Sequence, residues 1–359
     1  MIISIVAVLF TFGLVIFLHE LGHFIVCKLS GIKVEAFSFG FGPELYGRTS
    51  GATRYSIRAV PLGGYVKPAG ENIDEVSGAT DEYFSKPWYT RLGVVLAGPA
   101  MNYLLAFALF SGVILFVGEP VPSNDPVIGD LTQGYPAETA GLKPGDRLLT
   151  VDGAGVATWA DMATRISDKI EKEISVTYVR AGAEASVKIK TRKAPEGADR
   201  GVIGISPGIA YNRVPLLKGL GMGLHQCWYW TAFTVKTLAS NIYKREKPDL
   251  AGPIGIVNIV SKAAHTGAAD FFFLIGLISV AVGFFNLLPI PLLDGGHAVL
   301  FLFEGVSRRK LNAKVMQYVN GAGIALLLTI LLFATYSDIM RIKNSRDARK
   351  AAAAAAQDK

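Results

Sequence analysis

Charge is scarce in this chain: 18% of its 359 residues are Asp, Glu, Lys or Arg, while 51% are hydrophobic. A soluble domain carries about 25% charged residues, so an ordinary water-soluble globule is excluded. Cysteine is scarcer still. Cys27 and Cys227 lie far apart in apolar surroundings, which excludes a disulfide framework or a cysteine-rich metal cluster. No basic stripe interleaves with aromatics, so the net charge of +7 does not read as a nucleic-acid surface. Lys and Arg flanking apolar runs account for it better, and no nucleic-acid partner is expected. The N-terminus has neither a basic leader nor an Ala-x-Ala-like cleavage site, so the first apolar run is expected to stay as a membrane helix.

What the chain has instead is long apolar sequence, with a mean hydropathy of +0.37. Several runs reach the ~20 residues needed to cross a bilayer. The expected fold class is a polytopic α-helical membrane protein with crossings at 3–28, 91–117, 271–303 and 316–336. The third is interrupted between Asn286 and His297. Residues 33–68 read as a membrane-associated β-hairpin: Phe37, Phe39 and Phe41 alternate with small residues, and a second alternating run covers Tyr55 to Val60. Such a hairpin offers a strand edge to an extended peptide, or simply packs. Residues 122–210 have the composition of a soluble α+β domain. The moderately apolar segment 216–243, with Trp228 and Trp230 at its middle, reads as a crossing or an interfacial helix. The 341–359 tail, charged and then rich in alanine, is expected to be mobile.

Within the first crossing stands His19-Glu20-Leu21-Gly22-His23. Four residues apart on a helix, the histidines share a face and can bind one metal ion, with Glu20 beside them. This is the arrangement of zinc hydrolases, in which the glutamate handles the proton of the attacking water. The bland alternative is an amphipathic helix with incidental histidines. Asp294 is the candidate third ligand. It is an acid in a segment otherwise apolar for more than 20 residues, a placement that is costly unless the charge is paired. Pro289 and Pro291 cannot continue helical hydrogen bonding, so the chain must open there, and opened backbone at membrane depth usually lines a site. Its own bland reading is a kink with Asp294 bonded to a neighbour. His297 is a candidate partner for Asp294, whereas His225 and His265 read as structural or surface residues.

For Asp294 to reach the histidines, the first and third crossings must run in the same direction. That favours four crossings, with 216–243 lying along the membrane. Lys and Arg enrichment puts 28–91 and 304–315 in the cytoplasm and the soluble domain outside, with the basic tail as a mild exception. The site then faces the cytoplasmic side.

His19-Glu20-x-x-His23, Ala97-Gly98-Pro99-x-x-Asn102, Gly252-Pro253-Ile254-Gly255-Ile256 and Asn286-x-x-Pro289-x-Pro291-x-x-Asp294-Gly295 occur in this order. Together they resemble the site-2 protease family of intramembrane zinc metalloproteases, most of all the bacterial regulator-of-sigma-E proteases. The soluble insert, through Tyr135 to Asp146 and the following strand, resembles a PDZ domain, single where well-known relatives carry two. The resemblance implies a metalloprotease core formed by 1–117 and 250–340. It implies Zn²⁺ held by His19, His23 and Asp294, Glu20 as general base and Asn286 as oxyanion donor. Substrate contacts are expected at Pro289 and Pro291, and at Ile203, Gly204 and Ile205 of the PDZ carboxylate loop. The implied substrates are single transmembrane helices pre-cleaved by another protease, such as anti-sigma factors or remnant signal peptides, in a bacterial inner membrane. A membrane-anchored PDZ adaptor with a structural zinc site would be marked by a lost Glu or Asp, and none is missing. A metal transporter would carry polar residues along several crossings, which are not seen.

Overall fold

The computed structural model describes residues 2–195, 199–244 and 252–357. Two compact units emerge, one from Met1–Ile114 with Leu216–Lys359 and the other from Leu115–Pro215. Four helices among the described residues are long and apolar enough to cross a membrane: Ile2–Leu29, Trp88–Val117, Ala268–Leu287 and Ala313–Asn344.

Helix α1 (Ile2–Leu29) leads into strands β1 (Val34–Ser50) and β2 (Thr53–Pro68). Rather than a plain hairpin, the two fold into a small bent sheet: Ala36 to Phe39 pair with residues 64–67 on one side and 54–57 on the other. Residues 64–68 therefore form an edge. Aromatics fasten this sheet to α1, with Phe37 4.6 Å from Phe24 and 5.5 Å from Phe17 between ring centroids. A polar loop then leads to α2 (Trp88–Val117). Gly22 allows α1 and α2 to touch, because a Cβ there would overlap the Ala97 carbonyl.

The insert holds β3 (Glu119–Pro122), β4 (Ile128–Leu131), α3 (Pro136–Thr139), β5 (Arg147–Val151), β6 (Ala154–Gly155) and α4 (Trp159–Ser167). It continues with β7 (Glu173–Arg180), β8 (Ala183–Lys190), β9 (Arg192–Lys193), β10 (Gly201–Val202), β11 (Ile205–Pro207) and β12 (Ile209–Asn212). The main sheet runs β6-β5-β7-β8, while β11 pairs with β4 and β12 with β3. Alternation on β7 sends Ile174 and Val176 inward, and a bulge on β5 between Leu148 and Thr150 turns Leu148 and Val151 to the same side, where all four pack with Met162 and Ile166 of α4. Thr158 and Asp161 close a capping box at the start of α4.

The chain then returns as α5 (Leu216–Lys244), α6 (Pro253–Thr266), α7 (Ala268–Leu287), α8 (Asp294–Ser307) and α9 (Ala313–Gln357). The interrupted 271–303 crossing is two helices, α7 and α8, because Pro289 and Pro291 leave residues 288–293 outside either. His265 lies in the last turn of α6. The 341–359 tail holds the end of α9, which runs as far as Gln357; residues 358–359 lie outside the described residues.

Helix α5 is not among the four candidate spans. It seats Cys227 with Ala106 and Phe110 of α2 and Val280 of α7, and leaves Leu224, Trp228, Tyr229 and Phe233 outward. The Gly-Pro-Ile-Gly motif is the start of α6. Its Gly252 and Gly255 N–H groups donate to the two oxygens of Asp338 in α9 at 3.1 and 2.9 Å. A carboxylate at a helix N-terminus satisfies donors that the helix cannot.

Candidate metal centre and catalytic cleft

One turn of α1 puts His19 and His23 side by side, both 8% exposed, with their Nε2 atoms 3.2 Å apart. Asp294, first residue of α8, brings Oδ2 to 3.1 Å from His19 Nε2 and Oδ1 to 3.5 Å from His23 Nε2. The helix start favours this negative charge. Asp294 reaches the site because the chain between α7 and α8 turns sharply, with Leu292 at φ +75°. The Asp-Gly-Gly motif follows from the same turn. A Cβ on Gly295 would overlap the carbonyls of Leu287 and Leu288, and one on Gly296 that of Ile290. Gly98 serves the opposite side, where a Cβ would run into His23 Nε2.

The remaining ring nitrogens establish what these three groups can hold. His23 Nδ1 lies 2.7 Å from the Val94 carbonyl, which can only accept. That proton is therefore on Nδ1, and Nε2 presents a lone pair. His19 Nδ1 lies 3.1 Å from the Asn102 side-chain amide, whose own oxygen is buried without a partner. With the amide turned over, its oxygen accepts from His19 Nδ1–H, and the neutral ring then presents Nε2 to the site as well. Asp294 Oδ2 is likewise buried, with His19 Nε2 as its neighbour at 3.1 Å. With both rings neutral, two nitrogen lone pairs and a carboxylate converge within 3.5 Å of one another, an arrangement that suits a cation. Donors around a tetrahedral ion at ~2.0–2.1 Å stand roughly 3.3 Å apart, and the separations here match that spacing. The residues fit zinc.

A cavity of about 700 Å³ opens onto this centre and is also lined by Glu20, Tyr65, Val66, Asn286, Leu292 and His297. Glu20 Oε2 accepts the Val66 N–H at 3.2 Å, joining the glutamate to the edge of the β1–β2 sheet. The structure therefore brings together His19, His23, Asp294, Glu20 and Asn286. His297 packs against Phe301 with ring centroids 6.3 Å apart, and Pro291 abuts α9 at Gly323. In the insert, Ile203 is 2% exposed and belongs to the core, while its carbonyl and that of Gly204 accept the N–H groups of Ala137 and Thr132. Gly204 has φ +81°, and the Tyr135 ring occupies the space of a Cβ there. Ile205 pairs with Leu131. Sequence reading left unnamed the partner of Asn102. The signal was an amide in an apolar run one turn after Gly98.

Two histidines and a remote aspartate around a metal-sized space, with a glutamate alongside, define a metallohydrolase built on candidate membrane-spanning helices. The model of peptidase family M50 matches residues 7–330. An assigned zinc metalloprotease of Clostridium acetobutylicum is 32% identical over 342 residues, covering 94% of this chain and 97% of that protein. One of Rhizobium meliloti is 34% identical over 360 residues, covering 92% and 95%. The regulator of sigma-W protease RasP of Bacillus subtilis is 26% identical over 419 residues, covering 94% and 99%. A PDZ domain of an SdrC-like protein from Listeria monocytogenes aligns with 24% of this chain and 90% of its own, at 19% identity and a TM-score of 0.22. The chain belongs to peptidase family M50; it is a membrane metalloprotease, and its metal is zinc.

Proposed function

We propose that this protease cuts a peptide bond inside a single transmembrane helix, with His19, His23 and Asp294 as zinc ligands and Glu20 as general base. The observation that carries this reading is the convergence of three metal-ligating side chains beside a glutamate in one cavity. Zinc, when bound, polarises the scissile carbonyl and acidifies the attacking water. Glu20 takes the proton of that water and delivers it to the nitrogen of the leaving amine. Asn286, in the last turn of α7 and on the cavity wall, donates to the developing oxyanion; loss of such a donor typically costs ~10²–10³ in turnover. Val94 and Asn102 hold the two imidazoles in the tautomer that leaves Nε2 free.

A helix hides its peptide bonds, so the substrate must unwind before Glu20 can act on it. The 64–68 edge of the β1–β2 sheet, beside Glu20, supports a role in holding the opened segment extended. Pro289 and Pro291 shape the adjoining turn. The natural targets are membrane anchors already trimmed by another protease, anti-sigma factors among them. RasP is named for regulating a sigma factor, which supports that substrate class. The Lys and Arg of residues 28–91 and 304–315 support a cytoplasmic side for those segments, and on that reading the site faces the cytoplasm, the insert is extracytoplasmic and α5 lies along the inner membrane. Ile203, Gly204 and Ile205 of the insert meet either a newly made C-terminus or, through the bulk of the insert, an uncut ectodomain.

Glu20→Gln in cells, with a transmembrane anti-sigma factor followed by blot, tests the reading. Processing should stop while bound zinc stays at the parent level. Undiminished processing would sink the assignment of Glu20 and, with it, the proposed chemistry.

A further inference from the structure

One wall of the cleft takes no part in the chemistry above. Ala313, Met316, Gln317 and Asn320 line the cavity. Spaced by three and four residues, they form a single stripe along the opening turns of α9. Gln317 Nε2 donates to Asp74 Oδ2 at 2.8 Å, tying the stripe to the polar loop before α2. Asn320 differs, because its side-chain oxygen is buried with no hydrogen-bond partner. A polar atom left in that state inside an apolar helix is costly, and an apolar side chain of similar size would avoid the cost.

Tyr65, Val66 and Pro68 line the same cavity from the β2 edge, where the Val66 N–H is taken by Glu20. A peptide opened within the cleft loses the i to i−4 bonds that satisfied its own N–H groups. In an apolar surrounding those donors must find acceptors. Asn320 lines the cavity, and rotation of its carboxamide about χ2 turns the enclosed, unpaired oxygen toward such donors. We propose that Asn320 binds substrate: its carboxamide oxygen accepts a backbone N–H of the unwound segment. Such a contact reads no side chain. It favours a segment that can open and offers nothing to one that stays helical. The inference rests on the peptidase reading of this cleft.

The test uses full-length, zinc-loaded Glu20→Gln protein in detergent micelles, so that the ligand is bound but not consumed. A fluorescent synthetic single-span peptide with Gly-Pro at its centre is titrated with and without Asn320→Leu. The Kd should rise roughly 5- to 10-fold, as for one lost neutral hydrogen bond. Zinc content should be unchanged and the thermal midpoint should not fall, since leucine removes the unpaired oxygen. Versions of the peptide with one backbone amide replaced by an ester delete one N–H at a time. At one position the ester should weaken binding to the parent and have no further effect in Asn320→Leu. Equal affinity for the two proteins, no saturable binding to either, or ester effects that add at every position would overturn the proposal. So would a lowered thermal midpoint with an unchanged Kd, the mark of a residue that only packs. The peptidase reading fails separately: protein with Glu20 intact would then leave the zinc-supplemented peptide uncut.

Discussion

Asp146 in the insert and Asp294 in the membrane unit are both carboxylates withdrawn from water, yet their surroundings are opposite. Asp146 is 1% exposed, and every direction around it is used. Arg180 grips it with Nε on Oδ1 and Nη2 on Oδ2, both at 2.7 Å, and the Lys143 N–H adds a bond of 2.8 Å to Oδ2. A bidentate guanidinium and a backbone donor leave nothing for a ligand to do. Among the described residues Asp294 has no Lys or Arg beside it, only the Nε2 atoms of two imidazoles at 3.1 and 3.5 Å. A folded protein tolerates that arrangement when something else completes it. Saturation marks a carboxylate that holds the fold, and its absence marks one that holds a ligand.

The strongest way to break this contrast is to delete each carboxylate. Asp294→Ala should abolish both zinc binding, read by metal analysis, and proteolysis, while leaving the insert's hydrogen-exchange protection intact. A full complement of zinc would show that Asp294 is not a ligand. Glu20→Gln, beside the centre but not in it, should keep zinc and lose on the order of 10²–10⁴ in turnover in a single-span peptide assay, the usual weight of a general base. Asn102→Ala should weaken zinc roughly 10- to 100-fold in competition with a chelator, because His19 loses the partner that fixes its tautomer. Asp146→Ala should do the reverse of Asp294→Ala. It should destabilise the insert by about 2 kcal/mol, read by hydrogen exchange at the amides of β5 and β7, with zinc unchanged.

The smallest effect is the pH dependence of the same aspartate. Burial pushes the Asp146 carboxyl up, but the Arg180 guanidinium and the Lys143 N–H more than offset this and hold it below the usual carboxylate range. A folded pKa below the unfolded one, about 3.9, gives stability that is present above that value and lost as pH falls through the folded one. Protection of the insert should therefore be flat near neutral pH and decline only below about pH 4. Asp146→Asn should remove most of that acid-dependent decline.

Much of the catalytic centre was legible in the chain. His19 and His23 announce themselves by their spacing, and Asp294 by being an acid where acids are costly. The two prolines near Asp294 declared that the helix must open. The same rule, applied once more, would have singled out Asn320, an amide inside an apolar run. Other features left no local trace. That Asn102 faces His19, that Asp338 caps α6 across more than 80 residues, and that residues 36–39 run between two arms of β2 are facts of packing.

By itself the sequence determined the class: an apolar chain with crossings of the right length, a metal-binding pair on one helical face, and a remote acid with no other reason to be there. Periodicity and the cost of burying charge suffice for that, since both act within a segment. Tertiary structure alone decided which nitrogen of each histidine is free and which oxygens remain unpaired. It also decided that α8 starts at Asp294 itself, beside the two histidines. Those outcomes depend on groups far apart in the chain meeting within hydrogen-bond distance, and spacing along one segment carries no information about such meetings.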